Sequence, residues 1–190
     1  MHTDEYLVEV SRISHELDRD SIEKLTDALN ALRSKYGRLF IIGLGGSAAN
    51  ASHAANDFTS ICRIKTTCLS DNVAELTACA NDFGWANCYK RMLINHNASS
   101  NDALMVLSVG GGTNEVSLPL NGAIDYARAV KVPIFGIVGK DGGYTKKNAD
   151  ICVMVPTVEP RITPHTEAFQ SVILHLLASH PKLQVSKTKW

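Results

Sequence analysis

The chain has 190 residues, of which 45% are hydrophobic and 20% charged, and its 19 basic and 19 acidic residues leave no net charge. This length and composition are typical of one globular domain with a substantial core. Because the lysines and arginines are scattered, we expect neither a nucleic acid nor a membrane surface as a partner. The N-terminus lacks the features of a signal peptide and no apolar run is long enough to span a bilayer, so a cytosolic location is expected.

In chain order, apolar spacings of three and four predict two helices, at 5–17 and 21–34, the second beginning near Ser21. Apolar runs then predict five strands, at 38–43, 66–69, 103–108, 133–138 and 151–155. Helical stretches between them are predicted to begin near residues 47, 73, 84, 119 and 143, and a last helix is predicted from about 164 to 180. This alternation predicts an α/β domain with a three-layer, doubly wound, five-stranded parallel sheet of the flavodoxin-like kind, preceded by N-terminal helices.

The first strand runs directly into Gly43-Leu44-Gly45-Gly46-Ser47. Gly43, Gly45 and Gly46 allow the backbone to turn tightly and present N–H groups to an anion. Ser47 adds a hydroxyl at the N-terminus of the next helix, which is the positive end of its dipole. This pattern indicates a site for a phosphate group, with a tight turn that binds nothing as the alternative.

The third strand ends in a similar way, since Ser108 is followed by Val109-Gly110-Gly111-Gly112-Thr113. Both glycine turns would lie at the carboxyl ends of parallel strands, where open α/β sheets bind ligands. A phosphorylated small molecule is therefore expected. The dinucleotide-binding fingerprint G-x-G-x-x-G is not present, although Asp71 could stand in for the acidic residue that binds the ribose in such proteins. The Walker pattern of a nucleotide-binding P-loop is also absent, because no Gly-Lys-Ser or Gly-Lys-Thr follows either turn. No nucleotide cofactor is expected.

Two predicted helices carry residues suited to metal binding and proton transfer. His53 and Asp57 are four residues apart and share one helix face. Glu167 and His175 are eight apart in the last helix, about 12 Å along its axis. Two imidazoles and two carboxylates suit zinc or another divalent metal, and also acid/base work. For each residue taken singly, an ordinary surface pair is the alternative. The five cysteines are odd in number and form no Cys-x-x-Cys pair, so they are expected to be reduced and mostly buried.

Taken together, these segments resemble the phosphoheptose isomerase family of sugar isomerase (SIS) domains. The resemblance extends to about residue 181. It is carried by Gly43 to Ser47, His53 with Asp57, Asn81-Asp82-Phe83-Gly84, Leu107-Ser108 with its glycine turn, Gly139-Lys140-Asp141-Gly142-Gly143, and Glu167 to His175. It implies one SIS-type domain, with helices for oligomerisation in 1–36, the sheet and its helices in 37–181 and a tail in 182–190. It also implies an aldose–ketose isomerase that converts sedoheptulose 7-phosphate to D-glycero-D-manno-heptose 7-phosphate through an enediolate.

The resemblance further implies a role for individual residues. His53, Asp57, Glu167 and His175 would hold one zinc per subunit, in a homotetramer with active sites at the subunit contacts. Asp57, Glu167 and His175, with Asp82 as a polar group, would form the catalytic set, and which carboxylate acts with His175 is left open. Phosphate or sugar contacts are assigned to Gly45, Gly46, Ser47, Ser108, Gly110, Gly111, Gly112 and Thr113.

The chain departs from the family pattern at three places. Asp57 stands where the family usually has glutamate, and Glu167 where it usually has glutamine. The second glycine turn replaces a serine- and threonine-rich segment. A non-catalytic SIS-domain protein that binds a phosphosugar or another protein is therefore an alternative, as is an isomerase or lyase with a different sugar phosphate.

Overall fold

The computed structural model describes residues 1–186, which form a five-stranded parallel sheet covered by helices on both faces. The strands are β1 (Arg38–Ile42), β2 (Lys65–Cys68), β3 (Ala103–Ser108), β4 (Ile134–Val138) and β5 (Ile151–Met154). The helices are α1 (His2–Glu16), α2 (Arg19–Ser34), α3 (Gly46–Ser60), α4 (Val73–Phe83), α5 (Cys88–Asn95), α6 (Leu118–Ala129), α7 (Gly143–Asn148) and α8 (Ile162–Ala178). The predicted doubly wound α/β fold is confirmed.

The strand order is β2-β1-β3-β4-β5, and every neighbouring pair is parallel. After β1 the chain moves outward to β2, and it then crosses back over β1 to build the rest of the sheet in the other direction. The order therefore reverses between β1 and β3, and a crevice opens where the connections leave these two strands on opposite sides. The first glycine turn (43–47) and the second glycine turn (108–113) both leave the sheet at this point.

Two apolar cores lie on the two faces of the sheet. Along β1 the side chains alternate, so that Leu39 and Ile41 join one buried cluster while Phe40 and Ile42 join the other. The first cluster is completed by α2, α3 and α8, and the second by α4, α5 and α6. Because α3 and α8 share a layer, side chains from the two helices can meet.

The start of α2 differs from the prediction. It begins at Arg19, two residues before Ser21, because Asp18 is the N-cap. The Asp18 carboxylate accepts hydrogen bonds from the backbone N–H groups of Asp20 at 3.0 Å and of Ser21 at 3.3 Å. Since an N-cap carboxylate satisfies the free N–H groups of the first turn, the helix starts where that group is available.

The described part of the predicted tail is packed against the domain. Leu183 is fully buried, and Arg33 donates hydrogen bonds to the carbonyl oxygens of Leu183 at 2.7 Å and Lys182 at 2.8 Å. Residues 187–190 of that predicted segment lie outside the described residues. All five cysteines are free thiols, four of them buried and Cys152 partly exposed. Across residues 1–186, no helix has both the length and the apolar character needed to traverse a bilayer.

Candidate active site

The first glycine turn needs its glycines for three different reasons. Gly45 has a φ of +59°, a conformation that side-chain-bearing residues rarely adopt. At Gly43, a Cβ would lie 2.6 Å from the backbone carbon and oxygen of Ser47, so glycine lets the first turn of α3 pack against the end of β1. At Gly46, a Cβ would overlap the carboxylate of Glu167. The third reason was not visible in the sequence.

The N-terminus of α3 has no capping side chain and no acidic residue in its first turn. Its N–H groups at Ala48 and Ala49 donate to the Gly45 carbonyl at 3.0 and 3.2 Å. Ser47 is only 1% exposed, and within residues 1–186 its hydroxyl takes part in no side-chain hydrogen bond. The N–H groups of Gly46 and Ser47, which precede the first bonded N–H of the helix, and the Ser47 hydroxyl are the features that an anion site at a helix N-terminus requires.

The second glycine turn packs backbone to backbone against the start of α7. The Gly111 carbonyl accepts hydrogen bonds from the Thr145 N–H at 2.8 Å and the Thr145 hydroxyl at 2.7 Å, and the Gly112 carbonyl accepts from the Tyr144 N–H at 2.8 Å. A Cβ at Gly111 would overlap the carbonyl oxygen of Gly142. These glycines therefore have a packing role in addition to any role in ligand binding. The segment 139–143 is the part of the chain against which they pack.

The two hydroxyls of the second glycine turn shape the turn itself. The Ser108 hydroxyl oxygen accepts from the Gly111 N–H at 3.0 Å. The Thr113 hydroxyl oxygen accepts from the N–H groups of Glu115 at 3.2 Å and Val116 at 3.0 Å. Each hydroxyl still has its own hydrogen to donate to a ligand. Beside Thr113 lies a small cavity of about 200 Å³, which is also lined by Asp141 and Lys147.

Three of the four predicted metal ligands come together at the far end of α3 and α8. His53 Nε2 lies 3.4 Å from Asp57 Oδ2, and His175 Nε2 lies 3.8 Å from the same oxygen. One ligand atom from each of the three residues lies within 4.8 Å of the other two. The ring centroids of His53 and His175 are 4.9 Å apart, with an edge-on arrangement. We call these residues the His–Asp–His group.

The His–Asp–His group combines a buried carboxylate with two accessible imidazoles. The Asp57 side chain is 5% exposed, whereas the side chains of His53 and His175 are 55% and 50% exposed. Asn56 donates a hydrogen bond of 3.2 Å to Asp57 Oδ1, which leaves Oδ2 facing the two imidazoles. Ligands about 2.0–2.1 Å from a tetrahedral zinc are about 3.3 Å from each other, so the separations of 3.4 and 3.8 Å in this group fit such an ion.

Glu167 and Asp82 lie outside the His–Asp–His group. Glu167 is two helical turns before His175, and its carboxylate rests against Gly46 instead. Asp82 is exposed near the end of α4, where Oδ1 accepts a 2.8 Å hydrogen bond from the Asn81 side chain. The proposed catalytic roles of both residues, and the metal-ligand role of Glu167, stay predictions.

Asn50 and Gln170 were not identified from the sequence, and they set how α3 lies beside α8. The Asn50 side-chain N–H₂ donates to the Glu167 carbonyl at 2.8 Å and to Gln170 Oε1 at 3.2 Å. This contact lies between the Gly46–Glu167 contact and the Asp57–His175 contact. The two helices therefore meet at three successive levels, from the first glycine turn to the His–Asp–His group.

The N-terminus of α8 is held by Glu9 of α1, another contact that the sequence did not indicate. The Glu9 carboxylate accepts from Arg161 at 2.6 and 2.8 Å and lies 2.7 Å from His165 Nε2. Hydrogen bonds from Arg161 and then His165 lower the pKa of Glu9 to about 2. Because α8 carries Glu167 and His175, this cluster anchors the helix that supplies part of the site.

Comparisons with a family model and with known proteins identify the same family for this chain. The family model of the SIS domain matches residues 5–139. A phosphoheptose isomerase of Trichlorobacter lovleyi is 31% identical over 145 residues, which are 74% of this chain and 70% of the relative. One from Chlorobium phaeobacteroides is 37% identical over 127 residues, which are 63% of this chain and 54% of that protein.

The structure of a phosphoheptose isomerase from Neisseria gonorrhoeae has the same fold, with a TM-score of 0.81 and 21% identity over 93% of this chain and 96% of that one. The family model covers well over half of the chain, and the relative from Trichlorobacter lovleyi is matched over more than two thirds of its length. The chain therefore belongs to the phosphoheptose isomerase family of SIS-domain proteins, which is a family of isomerases.

Proposed function

We propose that the protein is a sugar-phosphate isomerase that interconverts sedoheptulose 7-phosphate and D-glycero-D-manno-heptose 7-phosphate. The observation that carries this proposal is the His–Asp–His group, which lies on α8 and on α3, the helix that begins at the first glycine turn, in a chain of this family. One end of the α3–α8 pair thus offers anion-binding groups, and the other offers acid/base groups. Ser47 and His53 are six residues apart on α3, about 9 Å along its axis, so a sugar phosphate lying along the pair would extend from the first glycine turn to His53.

The glycine turns would bind the phosphate end of the sugar. At the first turn, the N–H groups at the start of α3 and the buried Ser47 hydroxyl point to a site for an anion. At the second turn, the hydroxyls of Ser108 and Thr113 have hydrogens free to donate. The backbone N–H groups of Gly110 and Gly112 would replace hydroxyl groups of the family pattern, since the Gly111 N–H donates to Ser108.

The His–Asp–His group would move the proton. An aldose–ketose isomerase removes a proton from the carbon next to a carbonyl and returns one to the neighbouring carbon. Asp57 is buried, held by Asn56 and close to His175, so the two would form an acid/base pair: one takes the proton from the first carbon and returns it to the neighbouring carbon, and the other moves a proton between the two sugar oxygens. Glu167 remains the alternative carboxylate. With no metal ion bound, negative charge on the enediolate would be stabilised by a protonated imidazole; with a metal ion bound, the imidazoles would be ligands and the ion would take over this role.

The donor set also fits a divalent metal ion such as zinc. Two imidazole nitrogens and one carboxylate oxygen form the three-ligand set that catalytic zinc sites use. His53, Asp57 and His175 would hold one ion per subunit. When bound there, the ion would polarise the sugar carbonyl and stabilise the negative charge of the enediolate.

We also propose that the chain forms a homotetramer whose subunit contacts cover the site. This rests on the family and on the surface around the His–Asp–His group, where Val172 and Leu176 of α8 are 49% and 39% exposed. Helices α1 and α2 would contribute to the contacts. Light scattering at micromolar concentration is expected to give four chains per particle, and a monomer would contradict the proposal.

The activity is tested by incubating the zinc-loaded protein with sedoheptulose 7-phosphate and following formation of the aldose phosphate. We expect turnover that is lost on addition of a chelator and in the variant Asp57→Asn. A related variant, Asp20→Asn, changes an exposed carboxylate of α2, away from both glycine turns, and is expected to keep the activity. Tight binding of the sugar phosphate without turnover would instead favour the non-catalytic phosphosugar-binding alternative.

A further inference from the structure

Helix α3 begins without a negative charge of its own, and Glu167 of α8 supplies one. Neither a capping side chain nor an acidic residue is present in the first turn of α3. The Glu167 carboxylate lies directly against Gly46, the first residue of the helix, in space that any Cβ at Gly46 would fill. A carboxylate at this position interacts favourably with the positive end of the helix dipole.

We propose that Glu167 is a specificity-determining residue that acts as an internal anion at the first glycine turn, and that a phosphate group binds there only by displacing it. This inference rests on the proposed function, in which the same turn binds the phosphate end of a sugar phosphate. Two negative groups cannot share one helix N-terminus without strong repulsion. The turn is therefore selective against an anion that makes no other contact with the site.

The surroundings of Glu167 allow this displacement. Asn50 holds the backbone of α8 through the Glu167 carbonyl at 2.8 Å, so the helix can stay in place while the end of the side chain moves. In the part of the chain that the structure describes, no lysine, arginine or histidine forms an ion pair with Glu167. The carboxylate lies against the start of α3, and an incoming phosphate competes for that position.

Selectivity for sugar phosphates over inorganic phosphate follows from this competition. Inorganic phosphate would gain the N–H groups of α3 and the Ser47 hydroxyl but would have to expel Glu167. A sugar phosphate faces the same cost and offsets it with contacts of the sugar along α3 and α8.

The test is calorimetric titration of the folded protein with inorganic phosphate, comparing wild type with Glu167→Gln. Glutamine has nearly the same shape and no charge, so phosphate affinity is expected to rise about fivefold or more. The control Glu16→Gln removes an exposed carboxylate on α1 that pairs with Arg12, and it is expected to leave phosphate affinity unchanged. Circular dichroism establishes that each variant is folded, and Glu167→Ala serves as a second variant expected to shift the affinity in the same direction.

Unchanged or weaker phosphate binding in both Glu167 variants would overturn the inference, and so would an equal rise in the Glu16 control. Turnover of sedoheptulose 7-phosphate by the wild-type protein is measured in parallel. If turnover is present while the Glu167 variants leave phosphate affinity unchanged, the inference fails and the proposed function stands. If the variants bind phosphate more tightly but the wild type turns nothing over, the proposed function fails alone.

Discussion

Replacing Gly43 by alanine should destabilise the protein more than the same change at Gly46, three residues later. At Gly43, the new Cβ would lie 2.6 Å from the backbone carbon and oxygen of Ser47 and 2.9 Å from the backbone nitrogen of Ala48. Backbone atoms in the first turn of a helix cannot rotate away, so the start of α3 must shift. Overpacking of a buried position costs about 1–3 kcal/mol, and we expect about 3 kcal/mol because only backbone can move.

Gly46→Ala is the matched control, because its Cβ would meet only the end of the Glu167 side chain, which can rotate. Alanine is also favoured over glycine in a helix by up to about 1 kcal/mol, so the net change should stay within about 1 kcal/mol. Urea unfolding followed by circular dichroism measures both values. Equal losses of stability in the two variants would refute the argument that backbone contact, rather than crowding in general, requires glycine at Gly43.

Two further predictions concern the site and its anchor. Asp57→Asn should reduce bound zinc from about one ion per chain to near zero in elemental analysis, whereas Asp82→Asn, outside the His–Asp–His group, should retain it. Metal retained in the Asp57 variant would contradict the ligand assignment. The pKa of Glu9 is lowered from 4.5 to about 2, so its contribution to stability is complete above about pH 4.5 and lost as the pH falls toward 2. Glu9→Gln should therefore reduce the loss of stability that the protein shows as the pH falls. The control is Glu5→Gln, which changes an exposed carboxylate 3.7 Å from Arg161 and should leave that loss unchanged. Identical acid unfolding curves for the two variants would count against this.

Much of the fold was predictable because local patterns and the global topology agree. The buried runs at β1, β3 and β4 contain no polar side chain except Ser108 at the end of β3, as expected of strands covered on both faces, and alternation with helices leaves a parallel sheet as the consistent arrangement. Helix starts were less predictable, because several N-cap-type residues compete locally. Asp18 and Ser21 are both suitable N-cap residues, and which of them caps α2 depends on where the chain leaves α1.

The candidate site was predictable only within single elements. His53 and Asp57 could be paired because helical spacing alone puts them on one face. His175 was noted in the last helix as a second imidazole suited to the same metal, but its distance to Asp57 depends on how α8 lies beside α3. The position of Glu167 at Gly46 follows from that same helix pairing, which Asn50 and Gln170 help to set across more than a hundred residues of sequence. No local pattern encodes such a contact.

The most direct test of proton transfer at this site is isomerisation of sedoheptulose 7-phosphate in heavy water, with the aldose product analysed by NMR. Removal and return of a proton by Asp57 and the imidazoles should place solvent deuterium on carbon 2 of the aldose, because acid/base groups with half-exposed imidazoles exchange with water. Product that carries no deuterium at carbon 2 after many turnovers, or no aldose from zinc-loaded wild-type protein, would contradict the proposed mechanism.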